Sequence, residues 1–425
     1  MTIKKTLCAG LVASLLLGSQ VFAADESIPD PFAQARAQNA PLGSEALGNT
    51  PAPIVIPPAP EFEAESWVMM DYYTGKTICE KNAHKKIWPA SLTKMMTSYV
   101  IGMEIKAGRL NMDDDVIIPL DAWSKKYSDS SKMFIEVGKT IKVGDLVRGI
   151  IIQSGNDACV AMAIHLAGTQ EQFVQVMNSY AQKLGLNDTN FSNVHGLFDE
   201  MNYSSAHDMA ELGRALIRDL PEEYKIYSQK EFKFNGIRQM NRNKLLWDTS
   251  LNVDGIKTGH LSEVGYNLVT SATLNNMRLV TAVIGCKSEK LRADYSKALL
   301  NYGFRYYEIY TPVTAGKTLL TRSVRMGKTS KVDLVIEKDL AVPIPRGRQN
   351  DVKLSYHLNK KSDFIAPISK GDKLGIIEVK VDNKVLSRVP LVSNNDIAEG
   401  GFFSTLWDKV CLFFSSDEED TVEQN

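Results

Sequence analysis

The order of β-type and helical segments constrains this chain more than any other feature. Residues 67–70 and 77–79, around the turn Tyr73-Thr74-Gly75-Lys76, have the composition of a β-hairpin. A helical block follows, with apolar periodicity over roughly 144–167, 170–184 and 206–218. Strand-like segments return at 253–258, 266–273 and 277–285, the last two joined by Asn275-Asn276. Strands at both ends of a helical block predict one antiparallel sheet made from the beginning and end of the domain, with helices packed on it, an α/β (α+β) fold. A last helix over 290–302 closes this domain near Tyr310. Beyond Gly316, short alternating strands at 331–336, 373–379 and 384–389 imply a small all-β domain reaching about Asn395.

At 425 residues the chain is long enough for two such domains plus accessory segments. A formal net charge of -1 removes nucleic acid as a partner, which would need a concentrated basic surface. Lys4 and Lys5 precede an apolar run over 7–17, and Val21-Phe22-Ala23 completes the pattern of a secretory signal peptide, 1–23, cut after Ala23. Cys8 leaves with it. Residues 24–61 carry half of the 16 prolines and cannot bury a core, so they read as a tether, stiffest over 51–60. The domains then fall at 62–310 and 317–395, followed by a helix at 400–415 and an acidic tail at 416–425. The mature chain keeps Cys79, Cys159, Cys286 and Cys411, scattered without close spacing, which predicts free thiols. No Cys/His cluster has metal-ligand spacing, so neither metal nor other cofactor is expected.

Three short motifs stand in order, Ser91-Leu-Thr-Lys94, Ser154-Gly-Asn156 and Lys257-Thr-Gly259, the last continuing into His260. Pro89 precedes an apolar helix from about Ser91 to Met103, which puts Ser91 in its first turn and Lys94 on the same face. A serine hydroxyl needs a base, and lysine serves only when neutral. Burial and a nearby positive charge such as Lys257 would both lower the Lys94 pKa. Ser154 and Asn156 follow an apolar stretch, where a hydroxyl and an amide can face a cleft, although both also suit an ordinary helix cap. Lys257 with Thr258 on a strand edge can hold a carboxylate while Gly259 lets a substrate backbone come close, although the triplet alone also makes a plain turn. Together, in this order and in an exported chain, the three outweigh their separate ordinary readings. Serine β-lactamases and penicillin-binding proteins carry such a trio in variant form.

Over nearly everything from Glu65 to Phe414 the chain resembles the low-molecular-weight D-Ala-D-Ala carboxypeptidases of bacterial cell walls, members of the penicillin-binding/β-lactamase fold. Residues 89–100, 153–162 and 254–260 look like that family's three active-site segments, and Ile344-Pro-Arg-Gly-Arg348 like part of its β-rich second domain. The resemblance implies attack by Ser91 on the penultimate D-alanine of peptidoglycan stem peptides, release of the terminal D-alanine, and inhibition by β-lactams. It makes Lys94 the general base, Ser154 the proton relay, and Lys257 with Thr258 the carboxylate anchor. Asn156 would donate to the substrate backbone, and the backbone N–H groups of Ser91 and His260 would form the oxyanion hole. Arg242 and Arg292 would either add positive potential or be ordinary surface arginines.

Phe403, Leu406, Trp407, Val410 and Phe414 recur at helical spacing with polar residues opposite. In an exported protein this reads as an interfacial helix on the outer face of the inner membrane, weakened by the acidic Asp417-Glu-Glu-Asp420. Three rivals remain: a serine β-lactamase, a D,D-endopeptidase and a non-catalytic wall scaffold. The first often uses a glutamate with an asparagine four residues later, and Glu231 with Asn235 has that spacing. The alternation there, however, reads as a strand entering a turn at Asn235-Gly236.

Overall fold

The computed structural model describes residues 56–360 and 364–401, and the backbone of 421–424. Strands β1 (Ser66–Asp71), β2 (Thr77–Lys81), β3 (Asn252–Leu261), β4 (Gly265–Leu274) and β5 (Met277–Cys286) form an antiparallel sheet in the order β2-β1-β5-β4-β3. The two ends of the domain meet directly, since Ser66 pairs with Ile284 and Asp71 with Leu279. The β4–β5 turn has Asn275 and Asn276 at φ 49° and 63°, the left-handed pair that a two-residue hairpin needs and that asparagine tolerates.

Alternation along β1 feeds two cores. Val68 and Met70 join Val280, Ala282 and Ile284 in a cluster with helices α1 (Lys94–Lys106), α2 (Asn156–Ala167) and α3 (Ala206–Asp219). Trp67 and Met69 point the other way, into a cluster with Leu279, Val283 and the Leu299, Leu300 and Phe304 of α4 (Glu289–Tyr306). The sheet is thus covered on both faces, as the bracketing order of strands and helices requires. Ser205 caps α3 and Ser288 caps α4, each hydroxyl accepting a backbone N–H of the first turn, from Asp208 at 3.1 Å and Leu291 at 3.2 Å.

Two segments depart from the sequence pattern. Ser91 lies in a 3-10 turn, Ala90–Thr93, with α1 beginning only at Lys94, and Ala90 enters it at φ 53°. The apolar pattern over 144–167 is not one helix: Val143–Arg148 gives way to a π turn, Gly149–Gln153, then Ser154 at φ 66°, and α2 starts at Asn156. Periodicity misses this break because Ile150, Ile151 and Ile152 are buried whether or not the helix continues.

After α4 the chain passes straight into a strand, Tyr307–Val313, that pairs with Leu340–Pro345. Arg346 fastens this junction by donating to the carbonyls of Phe304 at 2.8 Å and Tyr307 at 3.0 Å. The rest is all-β. A six-stranded antiparallel sheet includes Lys331–Val335, Lys353–Leu358, Lys373–Val381 and Lys384–Ser393, over a core containing Leu334, Ile344, Tyr356, Ile377 and Leu391. The backbone of Thr421–Gln424 pairs with Lys353–Leu358 at its edge. The signal segment 1–23, the tether as far as 55, and the amphipathic stretch with Cys411 lie outside the described residues. The described end of the tether rests on α4, where Phe62 stacks on Tyr295 and Tyr302 donates to the Pro57 carbonyl at 2.9 Å. Cys79, Cys159 and Cys286 are free thiols.

Candidate active site

The Ala90–Thr93 turn and the first residue of α1 set the central pair. Lys94 is 1% exposed, and its Nζ stands 3.1 Å from Ser91 Oγ while also donating to the carbonyl oxygen of His195. Burial, reinforced by the Arg242 charge, lowers the Lys94 pKa to about 8. Roughly a tenth of this amine is therefore neutral at pH 7, the form able to take a proton from the hydroxyl, and the share rises with pH.

Ser154 and Asn156 come to the same cleft from the break before α2. The left-handed backbone at Ser154 turns its side chain inward, where Oγ is buried with no hydrogen-bond partner among the described residues. Asn156 Nδ2 donates to Ser130 Oγ at 2.8 Å.

The third wall is β3, the free edge of the sheet. It runs so close to the nucleophile's turn that a Cβ on Gly259 would sit 2.9 Å from the Pro89 carbonyl oxygen and 3.3 Å from Ala90 Cβ. Lys257 is buried and donates to the Thr258 carbonyl at 3.0 Å. Its pKa falls well below the usual lysine value, through burial first and then the charges of Lys94, Arg242 and Arg292. The repulsion between Lys94 and Lys257 is mutual, so the cation expected from the sequence to lower Lys94 acts beside burial and Arg242.

Ser91, Ser154, Asn156, Thr258, Gly259 and His260 line one open cleft of about 900 Å³, with Lys94 and Lys257 beneath it. His260 is exposed, its ring 4.1 Å from that of Tyr266. Arg242 and Arg292 both line this cleft, so neither is a remote surface arginine. Arg292 is 4% exposed and donates to the Gly259 carbonyl at 3.1 Å, which ties α4 to the strand edge. Glu231 and Asn235 are elsewhere: they belong to a hairpin, Glu231–Phe234 with Ile237–Met240, in which exposed Glu231 accepts from Arg238 Nε at 2.7 Å. Neither lines the cleft.

Residues 54–288 match the model of the family described as D-alanyl-D-alanine carboxypeptidase, and 307–399 match that of the penicillin-binding protein 5 C-terminal domain. The chain belongs to the D-alanyl-D-alanine carboxypeptidase family. It is 50% identical to the D-alanyl-D-alanine carboxypeptidase DacA of Escherichia coli K12 over 85% of this chain and 90% of that one. Identity is 33% to DacF of Bacillus subtilis, over 81% of this chain and 88% of the relative. The structure of penicillin-binding protein 5 from Haemophilus influenzae superposes with a TM-score of 0.77 at 46% identity, covering 80% of this chain and 99% of that one.

In this member of the carboxypeptidase family, sequence reasoning passed over three residues that shape the cleft. Asp157 is buried and accepts from the backbone N–H groups of Met133, Phe134, Ile135 and Ala158 at 2.8–3.3 Å, holding the loop that carries Ser130. A carboxylate inside an otherwise apolar helix was its one visible signal. Ser130 lies in a loop with no motif. His195 acts at Lys94 through its backbone carbonyl, which no side-chain pattern can reveal; its ring is pushed down to a pKa of about 3 by burial and by Lys94.

Proposed function

We propose that the protein removes the terminal D-alanine from peptidoglycan stem pentapeptides through an acyl-enzyme on Ser91. The observation that carries this reading is the buried Lys94 amine, 3.1 Å from the Ser91 hydroxyl, in a cleft closed on one side by a cationic strand edge. Ser91 Oγ attacks the carbonyl of the penultimate D-alanine as neutral Lys94 accepts its proton. The oxyanion forms between the backbone N–H groups of Ser91 and His260, each such donor worth about 3 kcal/mol in the transition state. Ser154, whose hydroxyl has no partner among the described residues, passes the proton to the departing amine. Lys257 and Thr258 hold the terminal carboxylate, Asn156 donates to the substrate backbone, and Arg292 keeps the Gly259 edge in place. Water then hydrolyses the ester.

A β-lactamase reading loses its support because Glu231 and Asn235 lie on a hairpin away from the cleft, so a penicillin adduct on Ser91 is long-lived. A purely structural role leaves the depressed Lys94 pKa without a purpose. Incubation with labelled penicillin and with a D-Ala-D-Ala pentapeptide tests the assignment: wild-type protein gives a persistent adduct and free D-alanine, and Ser91→Ala gives neither. D-Alanine release by Ser91→Ala would refute it.

The domain organisation proposed with this function is a removed signal at 1–23, a tether at 24–61, a catalytic domain at 62–310, a β-rich domain at 317–395 and a membrane-surface helix at 400–415. The enzyme then works in the periplasm, peripheral to the inner membrane. No helix among the described residues is long and apolar enough to cross a membrane. Liposome sedimentation of protein ending before Gly400 tests the anchor; partitioning equal to that of the full chain dismisses it.

A further inference from the structure

The Lys353–Leu358 strand would be an edge of the six-stranded sheet but for the carboxyl end of the chain. An open edge presents a row of unpaired N–H and C=O groups to which extended peptides add. Here Thr421, Val422, Glu423 and Gln424 pair antiparallel with His357, Tyr356, Ser355 and Leu354. The added strand lies beyond the match to the penicillin-binding protein 5 C-terminal domain, which ends at 399.

The register suits the sequence of that strand. Val422 falls opposite Tyr356, which is buried in the core of the β-rich domain. Thr421 and Glu423 fall opposite His357 and Ser355, on the other face of the sheet. On that face Lys380 Nζ stands 3.4 Å from Ser355 Oγ, so the position of Glu423 is next to a cation. A slip of one residue would exchange the faces of the valine and the glutamate.

Charge points the same way. Residues 416–425 include five acidic residues and no basic one, whereas residues 317–399 carry 16 lysines and arginines against 10 aspartates and glutamates. Exposed Lys353 begins the edge strand, exposed Lys360 follows its end, and the carbonyl of exposed Lys373 accepts from Asn359 Nδ2 at 3.0 Å beside that end. None of the three lysines makes an ion pair among the described residues. The connecting residues 402–420 are long enough to close the loop within one chain. With 403–414 helical they reach about 40 Å, against a width of roughly 24 Å for six strands.

We propose that the Lys353–Leu358 edge is the docking site of the chain's own acidic carboxyl-terminal strand. Docking holds the carboxylates of 417–423 against the lysines of this edge rather than beside anionic headgroups, so the tail does not oppose attachment by 400–415. This shielding rests on the membrane-surface helix proposed above; the docking itself does not.

The test is Thr421→Pro combined with Val422→Pro in the full chain. Of two adjacent N–H groups in a strand one points at the partner, so the pair of prolines breaks the ladder while every charge stays in place. Hydrogen exchange at the amides of 353–358 reads docking. Sedimentation with phosphatidylglycerol/phosphatidylethanolamine vesicles and with neutral phosphatidylcholine vesicles reads attachment. In the variant, exchange along the edge rises about tenfold or more. Binding to the anionic vesicles falls about fivefold or more, while binding to neutral vesicles and the rate of labelled-penicillin acylation stay within about twofold. Unchanged exchange overturns the docking. Faster exchange with unchanged binding to anionic vesicles overturns the shielding. Edge protection that appears only as the wild-type protein dimerises places the strand on a second copy and overturns docking within one chain. Wild-type protein that binds neither vesicle refutes the membrane helix, and the shielding with it, while the exchange result still decides the docking.

Discussion

The Lys94 amine donates to the carbonyl oxygen of His195, 101 positions further along the chain, while standing within reach of Ser91 Oγ. The base is thus aimed by the backbone of a distant loop as well as by the helix that bears it. Neutral Lys94 can keep an N–H on the His195 carbonyl while turning its lone pair to accept from the Ser91 hydroxyl.

The pH dependence follows from the lowered Lys94 pKa. The active form is the deprotonated amine, so kcat/KM on the pentapeptide rises with pH through a midpoint of about 8. A profile already flat from pH 6 upward would show that this amine is not the titrating base.

Ser154→Ala separates activity from stability. The hydroxyl is buried without a partner among the described residues, so its removal costs none of their hydrogen bonds and leaves Tm unchanged or raised. Loss of the relay lowers the rate of acylation by about 10²-fold or more. A fall in Tm together with near-normal turnover would reverse both halves.

Gly259→Ala places a Cβ against the Pro89 carbonyl and pushes the strand edge away from the nucleophile's turn. Misplacement of that order costs about 10²-fold in kcat/KM. Thermal melting and circular dichroism follow whether the fold survives; full activity in a well-folded variant would show that the close approach is not needed.

In the β-rich domain, buried Glu378 accepts from Arg388 Nε at 2.5 Å, Lys380 Nζ lies 2.9 Å away and His357 Nε2 3.2 Å away. These partners, Lys380 and Arg388 first, hold its carboxyl down to about 2. A depressed carboxylate stabilises the fold above its unfolded pKa of about 4.3, and that contribution disappears as pH falls through the folded value. Glu378→Gln therefore destabilises the protein by about 1 kcal/mol at neutral pH, since Arg388 is largely exposed and its charge is screened. The gap between variant and wild type closes as pH falls from about 4 toward 2. A gap that widens with acidity would contradict the assignment.

Most of the architecture was legible because β1 and the later strands are β-prone, largely buried runs bounded by turn residues, and the asparagine turn announces its hairpin. The three motifs were legible because they are local. What escaped has physical causes. The break at Ser154 is hidden in a run of apolar residues buried in either conformation. The strands Leu340–Pro345 and Lys353–Leu358 are interrupted by prolines or mixed in pattern, so their pairing had to come from partners elsewhere in the chain. Asp157 and His195 act on backbone groups or through them, and sequence spacing says nothing about such contacts.

The pairing of Ser66 with Ile284 sets a timetable. Roughly two hundred residues of polypeptide must be made before the central strands can find each other, and such long loops close slowly. Lys257 and Gly259 arrive within the last of these, so until the carboxyl half emerges the nucleophile has neither its cationic wall nor the shelter that lowers its base. A nascent chain is consequently inert, and hydrolytic power begins only once the whole catalytic body has been made and has folded.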